Sequence, residues 1–160
     1  MVDSPGTVDP GCERRGALES RQYTTFYLDD MLFGVEVLRV QEVLRYQPTT
    51  PIPLAPPTIS GLINLRGQIV TAVDLRRRLG LAPRADSEQP LNVVVRGEDS
   101  AFSLLVDDIG DVVEVNPERY EPPPDNMPQQ QRQMIEGVYK MDGCLLLVLS
   151  TERVLAESGS

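Results

Sequence analysis

The order of hydrophobic and polar residues predicts short β-strands along most of the chain. In the stretch TTFYLDDMLFGVEV, residues 24–37, apolar residues recur at every second position on both sides of Asp29-Asp30. This period is typical of strands with one buried face, and paired aspartates favour a turn, so the stretch predicts a β-hairpin. The stretch GLINLRGQIV, residues 61–70, predicts a second hairpin. In it Gly67 takes the positive φ of the turn, and Arg66 lies exposed at the strand end.

Two segments have helical spacing instead. VLRVQEVL, residues 37–44, places its apolar residues on one side at 100° per residue and predicts a short amphipathic helix. DLRRRLGL, residues 74–81, predicts a helical turn with Asp74 as N-cap and Gly80 near the C-cap. We expect its arginines, 76–78, to form a solvated face. Between these segments, QPTTPIPLAPP carries five prolines and predicts a connector or an extended edge segment.

The second half of the chain repeats the strand pattern. The polar stretch APRADSEQP, residues 82–90, predicts a midpoint linker. Strands are predicted in LNVVVRGEDSAFSLLVDD, with a turn over Gly97 to Ser100, and in IGDVVEV. Residues 116–133 predict a long Pro- and Gln-rich loop, Asp142-Gly143 a hairpin turn, and residues 150–157 a final short helix. About ten strands and two or three short helices predict an all-β fold, as two small barrels or a twisted sandwich.

The charge and the residue composition of the chain make several classes of function less favoured. The formal net charge of -9 opposes nucleic-acid binding, and the lack of histidine removes the commonest general base and metal ligand. No segment has the ~20 apolar residues of a membrane span, and no secretory signal precedes the domain, so we expect a cytoplasmic protein. Cys12 and Cys144 are too few for a disulfide framework or a zinc site. We expect Cys12 in a flexible tail, residues 1–21, and Cys144 as a small buried side chain.

Two candidate sites remain open on these grounds. Asp107, Asp108 and Asp111 are either turn and surface residues or the centre of a small cation-dependent enzyme. Arg66 is either a surface ion-pair partner or an anchor for a partner's carboxylate or carbonyl groups. A further hypothesis is a structural oligomer that pairs through exposed strand edges.

Four stretches resemble the CheW family of chemotaxis coupling proteins. They are FGVEVLRVQEVL (33–44), GLINLRGQIVTAVDLRRRLGL (61–81) with Pro53 before it, LLVDDIGDVVEV (104–115) and EGVYKMDGCLLLVLSTERVL (136–155). The NLRG and VDL elements that follow VQE are the most specific part. This pattern is shared with the regulatory domain of chemotaxis histidine kinases and with CheV-type proteins. The chain length leaves no room for a kinase or receiver domain, which favours a stand-alone adaptor.

The resemblance implies two five-stranded SH3-like β-barrels packed on a common core over residues 22–156, with residues 1–21 and 157–160 as tails. It implies a non-enzymatic adaptor, without metal or cofactor, that couples the cytoplasmic tips of methyl-accepting receptors to a CheA-type histidine kinase. We expect a protein that is monomeric when isolated, binds neither nucleic acid nor the lipid interior, and is recruited to receptor arrays at the inner face of the membrane.

The resemblance also implies the residues of the binding site. Those of the receptor groove are Val40, Glu42, Asn64, Arg66, Val106 and Asp107. Gly61 and Gly67 are expected to shape the turn beside it.

Overall fold

The computed structural model describes residues 21–85, 88–97, 100–141 and 143–158. The expected tails, apart from the residues at their inner ends, lie outside these ranges, as do Cys12, Asp142 and the centre of the turn predicted over Gly97 to Ser100. Most of the described chain is β-structure, which confirms the predicted fold class. No helix in these ranges has both the length and the apolar character needed to cross a membrane.

The strands form two sheets. The six-stranded sheet has the order β9-β10-β11-β2-β1-β8, with β1 (Arg21–Leu28), β2 (Met31–Glu36), β8 (Asp108–Val115), β9 (Tyr120–Glu121), β10 (Ile135–Met141) and β11 (Cys144–Leu149). The five-stranded sheet has the order β3-β6-β7-β5-β4, with β3 (Val40–Leu44), β4 (Ile59–Leu65), β5 (Gln68–Asp74), β6 (Leu91–Arg96) and β7 (Ala101–Val106). Pairing is antiparallel except between β11 and β2 and between β5 and β7.

The helices are short and lie between strands or after the last one. They are α1 (Leu75–Arg78), α2 (Gln129–Arg132) and α3 (Thr151–Ser158), with single 3₁₀ turns at Val37–Arg39 and Pro117–Arg119. The Asp74 carboxylate accepts a hydrogen bond from the Arg76 N–H, which confirms the predicted N-cap. The predicted loop over residues 116–133 is more structured than expected, because it holds both β9 and α2.

The five-stranded sheet is an insertion within the six-stranded one. Strands β3 to β7 follow β2 and precede β8, so the chain crosses between the sheets twice, at residues 37–39 and at Asp107. Residues 82–90 were predicted as a linker at the midpoint of the chain. They lie between α1 and β6, and the strands before and after them, β5 and β6, belong to the same sheet. These two crossings are therefore the covalent connections that hold the sheets together.

Three apolar clusters account for the packing. The largest lies between the sheets and takes residues from both, among them Phe26, Phe33, Val93 and Leu104. The five-stranded sheet also packs around a cluster of its own that includes Val70. The six-stranded sheet packs around a third cluster, which includes Leu146. Two curled sheets on a shared core agree with the SH3-like packing that was expected. The prediction was two closed five-stranded barrels. Among the described residues, the structure instead has one six-stranded and one five-stranded sheet, and the edge strands of neither sheet pair with each other.

Two predictions about residues in the strands were wrong. Residues 37–44 form a 3₁₀ turn followed by β3, because the β-branched side chains of this segment pair with β6, as Val43 does with Val93. Cys144 is exposed, since it begins β11 directly after the tip of the last hairpin. The turn at Asp29-Asp30 and the connector character of the proline-rich segment are confirmed.

Candidate functional site

Arg66 and Gly67 form the two-residue turn between β4 and β5. Their φ angles are 51° and 87°, and Leu65 pairs with Gln68 across the turn. Positive φ at both central residues matches the twist of a hairpin, and Gly67 adopts it at no steric cost. The Asn64 side-chain oxygen accepts a hydrogen bond from the Gly67 N–H at 3.0 Å. Asn64 therefore fixes the turn that displays Arg66.

The Arg66 guanidinium forms a bidentate ion pair with Glu42. Nη1 lies 2.9 Å from one carboxylate oxygen of Glu42 and Nη2 lies 2.5 Å from the other. Glu42 belongs to β3 and Arg66 follows β4, which are the opposite edges of the five-stranded sheet. The hydrogen bonds from Arg66 lower the pKa of Glu42, and those accepted by Glu42 raise the pKa of Arg66. The pair thus links the two edges of the curled sheet.

The two partners differ in exposure, and this decides what the pair can do. The side chain of Glu42 is 19% exposed and that of Arg66 is 73% exposed. A guanidinium carries five N–H donors in a planar fork, and the two hydrogen bonds to Glu42 leave others facing solvent. Arg66 can therefore bind a carboxylate or carbonyl of another molecule while Glu42 holds its orientation.

Asp107 lies in a separate cluster, which we call the clasp, formed by Asp29, Arg76, Arg84 and Asp107. Arg76 donates to Asp107 from Nε at 3.0 Å and from Nη2 at 2.6 Å, and Nη2 also contacts the Asp29 carboxylate at 2.5 Å. Arg84 Nη2 and the Asp29 N–H donate to Asp107 as well, at 3.0 and 2.9 Å. The other three members were not predicted as part of a site, because Asp29, the two arginines and Asp107 are far apart in the chain.

The clasp changes the interpretation of two features: arginines 76–78, which were expected to form a solvated face, and Asp107, which was expected in the receptor groove. Arg76 and Arg78 are buried rather than solvated, since Arg76 enters the clasp and Arg78 donates to backbone carbonyls of α3. Asp107 is also half-buried, and burial alone would raise its pKa. Hydrogen bonds from Arg76, from the Asp29 N–H and from Arg84 outweigh burial and lower the pKa of Asp107 to about 2. Asp107 is therefore a charged structural residue whose acceptors are already occupied.

The predicted groove residues do not all come together. Glu42, Asn64 and Arg66 do, around the β4–β5 turn, and Val40 lies on the same strand as Glu42 with its side chain partly buried against the shared core. The assignment of Val106 to the groove is corrected, because its side chain is 0% exposed within that core. A signal for this was present in the sequence, since Val106 ends the run AFSLLV, which is apolar except for Ser103 and is typical of a strand buried on both faces.

Gly61 has a different role from the one expected. It lies within β4, away from the turn, with φ of 153°, and its missing Cβ leaves room for the Thr50 backbone carbonyl. Thr50 and Leu62 exchange two backbone hydrogen bonds of 2.8 Å there. Gly61 thus lets the proline-rich segment pair with the edge strand β4.

The geometry gives no support to a cation-dependent enzyme. Asp107 is engaged by two arginines, and Asp108 accepts a hydrogen bond from the N–H of Ile109 at 2.9 Å. Within the ranges that the structure describes, no group of three side chains of the metal-ligating types is placed to hold an ion.

Comparison with known proteins identifies the family. The family model described as the CheW-like domain matches residues 22–159. The chain belongs to the CheW-like family. The Chemotaxis protein CheW of Treponema pallidum is 30% identical over 142 residues, which cover 86% of this chain and 84% of that protein. The Probable chemotaxis protein CheW of Rhizobium etli is 29% identical over 140 residues, with 88% and 90% covered.

A solved relative has the same fold. The crystal structure of the scaffolding protein TtCheW from Thermoanaerobacter tengcongensis superposes with a TM-score of 0.77 at 27% identity, covering 88% of this chain and 95% of that one. The resemblance stated from the sequence is confirmed. Membership of the CheW-like family, whose matched members are chemotaxis and scaffolding proteins, also confirms that the chain is not an enzyme.

Proposed function

We propose that this CheW-like protein is an adaptor that couples methyl-accepting chemoreceptors to a CheA-type histidine kinase in a bacterial chemosensory pathway. The observation that carries the proposal is the exposed Arg66 guanidinium, held by Glu42 at a strand end in a fold shared with a scaffolding protein. In this proposal the protein acts in the cytoplasm, is monomeric when isolated and joins receptor arrays at the inner face of the membrane.

The receptor tip binds at the β4–β5 turn in this proposal. Arg66 donates to a carboxylate or to helix-end carbonyls of the receptor, and Asn64 and Glu42 keep the guanidinium in place. Each contact of an adaptor can be weak, because two linked partners raise the effective concentration of one another. Signal transfer requires receptor states that differ in their contacts with this turn, since equal contacts shift no equilibrium.

Charge reversal at Arg66 tests the proposal. Arg66→Glu places two carboxylates against each other and removes the donor, so co-sedimentation with receptor cytoplasmic fragments should weaken at least about tenfold. Arg77→Glu is the matched control, because Arg77 is half-exposed on α1 and lies outside the turn. Both variants should keep the circular dichroism spectrum of the parent protein. Normal co-sedimentation by folded Arg66→Glu protein would refute the assignment of Arg66 to the receptor site.

A further inference from the structure

Leu54 occupies a backbone position that is unfavourable for leucine. Ile52 to Ala55 form a tight turn, in which the Ala55 N–H donates to the Ile52 carbonyl at 3.3 Å. Pro53 stands at the second position of this turn and Leu54 at the third, with φ of 65°. Positive φ at the third position is the geometry of a type II turn, where glycine or asparagine is preferred because a Cβ crowds the neighbouring carbonyl.

Within the described residues, the side chain of Leu54 makes no contact that would compensate for this strain. Among the described residues, three non-glycine residues have positive φ: Asp29, Leu54 and Arg66. Asp29 belongs to the clasp and Arg66 to the ion pair with Glu42, so each gains hydrogen bonds from its conformation. The side chain of Leu54 is fully exposed, at 105% of its reference area. Strain of this kind at an exposed apolar residue indicates a role outside the folded chain.

The segment around Leu54 is fixed at both ends. Thr50 is paired with Leu62, the Ile59 N–H donates to the Pro56 carbonyl at 2.9 Å, and the Asp74 N–H donates to the Thr58 carbonyl at 2.8 Å. Four prolines, at positions 51, 53, 56 and 57, restrict the backbone further. A fixed loop loses little conformational entropy when it binds, which favours a preformed docking element.

The charge of the segment points to the kind of partner. Residues 47–58 contain no charged residue, in a chain whose net charge is -9. An anionic membrane attracts basic segments, so it does not suit this surface. A charged protein surface would lose solvation against it without gaining ion pairs. An uncharged apolar socket on a protein is the surface that fits.

We propose that Leu54 is a docking residue that inserts into an uncharged, apolar socket of a second protein partner. The Thr50–Leu62 pairing is antiparallel, so the loop projects beyond the Ile59 end of β4, opposite to the end that carries Arg66. This step rests on the proposed function: with the receptor at the Arg66 end, the partner at the Leu54 end is the kinase.

Two substitutions separate docking from folding. Leu54→Asn removes the apolar side chain and relieves the strain, so the melting temperature should rise by about 2–4 °C while affinity for purified CheA-type kinase falls about tenfold. Leu54→Ala also removes the apolar side chain, but alanine lacks the side-chain amide with which asparagine stabilises positive φ, so affinity should fall without a gain in melting temperature. Val112→Ala, at an exposed apolar residue of the other sheet, should bind like the parent protein. Receptor co-sedimentation should be unchanged in all three.

The outcomes distinguish the alternatives. Unchanged kinase affinity in folded Leu54→Asn and Leu54→Ala protein overturns the inference, as does loss of receptor binding in place of kinase binding. Light scattering that shows self-association of the parent protein, abolished by Leu54→Ala, makes a second copy the occupant and also overturns it. A parent protein that binds receptor but not kinase overturns the kinase assignment alone, whereas one that binds neither refutes the proposed function and the inference with it.

Discussion

Single side chains in this fold differ in whether their charge favours or opposes the folded state. The negative charge of Glu136, which precedes Gly137 in β10, opposes the folded state. Partial burial of its carboxyl raises its pKa, and the nearby carboxylates of Glu36 and Glu152 add to this effect. Arg153 and Arg39 act in the other direction without cancelling it. Ionised Glu136 is therefore less favourable in the folded than in the unfolded chain.

Replacing Glu136 by glutamine should stabilise the protein at neutral pH. A carboxyl whose folded pKa is raised contributes stability below its ordinary pKa of about 4.3 and loses it as pH rises through the folded value. The melting temperature of Glu136→Gln should therefore exceed that of the parent protein at pH 7 and approach it below about pH 4. Glu118→Gln, also at an exposed position but in the 3₁₀ turn after β8, is the control. A difference that stays constant with pH would contradict this explanation.

Pairing between elements depends on glycines in two different ways. At Gly67 glycine is required only by the backbone, whose φ is 87°, because a Cβ there would have no atom within 4 Å. At Gly61 a Cβ would overlap the Thr50 carbonyl, which is bonded to Leu62. The first glycine serves only the turn, whereas the second serves the contact between the proline-rich segment and β4.

Alanine at the two positions should give unequal losses of stability. Gly67→Ala should cost about 1 kcal/mol of unfolding free energy, from backbone strain alone. Gly61→Ala should cost roughly 3 kcal/mol, because it adds a steric overlap and breaks the two hydrogen bonds between Thr50 and Leu62. Urea denaturation measures both. Equal losses would show that the Thr50 segment moves aside freely.

The same elements show what the sequence could predict. Hairpins were readable because period-two alternation and turn residues are local signals, as at Asp29-Asp30. Residues 37–44 were misread because their strand forms only through pairing with β6, about 50 residues away in the chain. Arg66 was found from its turn, but its partner Glu42 lies 24 residues earlier and was reached only through the family resemblance. The burial of Arg76 depends on two distant partners, Asp29 and Asp107, so no local pattern carried it.

The arrangement of the two sheets depends on their two crossings, and these are held unequally. The crossing at residues 37–39 is a single 3₁₀ turn without a buried residue, with a weak ion pair of 3.7 Å between Arg39 and Glu152. The crossing at Asp107 carries the clasp. Through Arg76 and Arg84 the clasp connects the β1–β2 turn, α1 and the segment after α1 to the point where β7 leads into β8. Of the two crossings, the second therefore has the more extensive ion pairs.

Asp107→Asn should therefore weaken the whole fold while leaving the Arg66 turn intact. The substitution leaves the buried guanidinium of Arg76 short of one negative charge, at a cost of about 2 kcal/mol in unfolding free energy at pH 7. The pKa of Asp107 is lowered to about 2, so its contribution is present above the ordinary value of about 3.9 and is lost as pH falls through about 2.

Urea denaturation at a series of pH values provides the measurement. The difference between the parent protein and Asp107→Asn should stay constant from pH 7 to about pH 4 and shrink below it. Asp108→Asn should behave like the parent protein, because an amide oxygen can still accept the Ile109 N–H. If Asp107→Asn matched Asp108→Asn at pH 7, the ion pairs of the clasp would contribute no net stability. The sheets would then be held mainly by their shared apolar core, which takes residues from both of them.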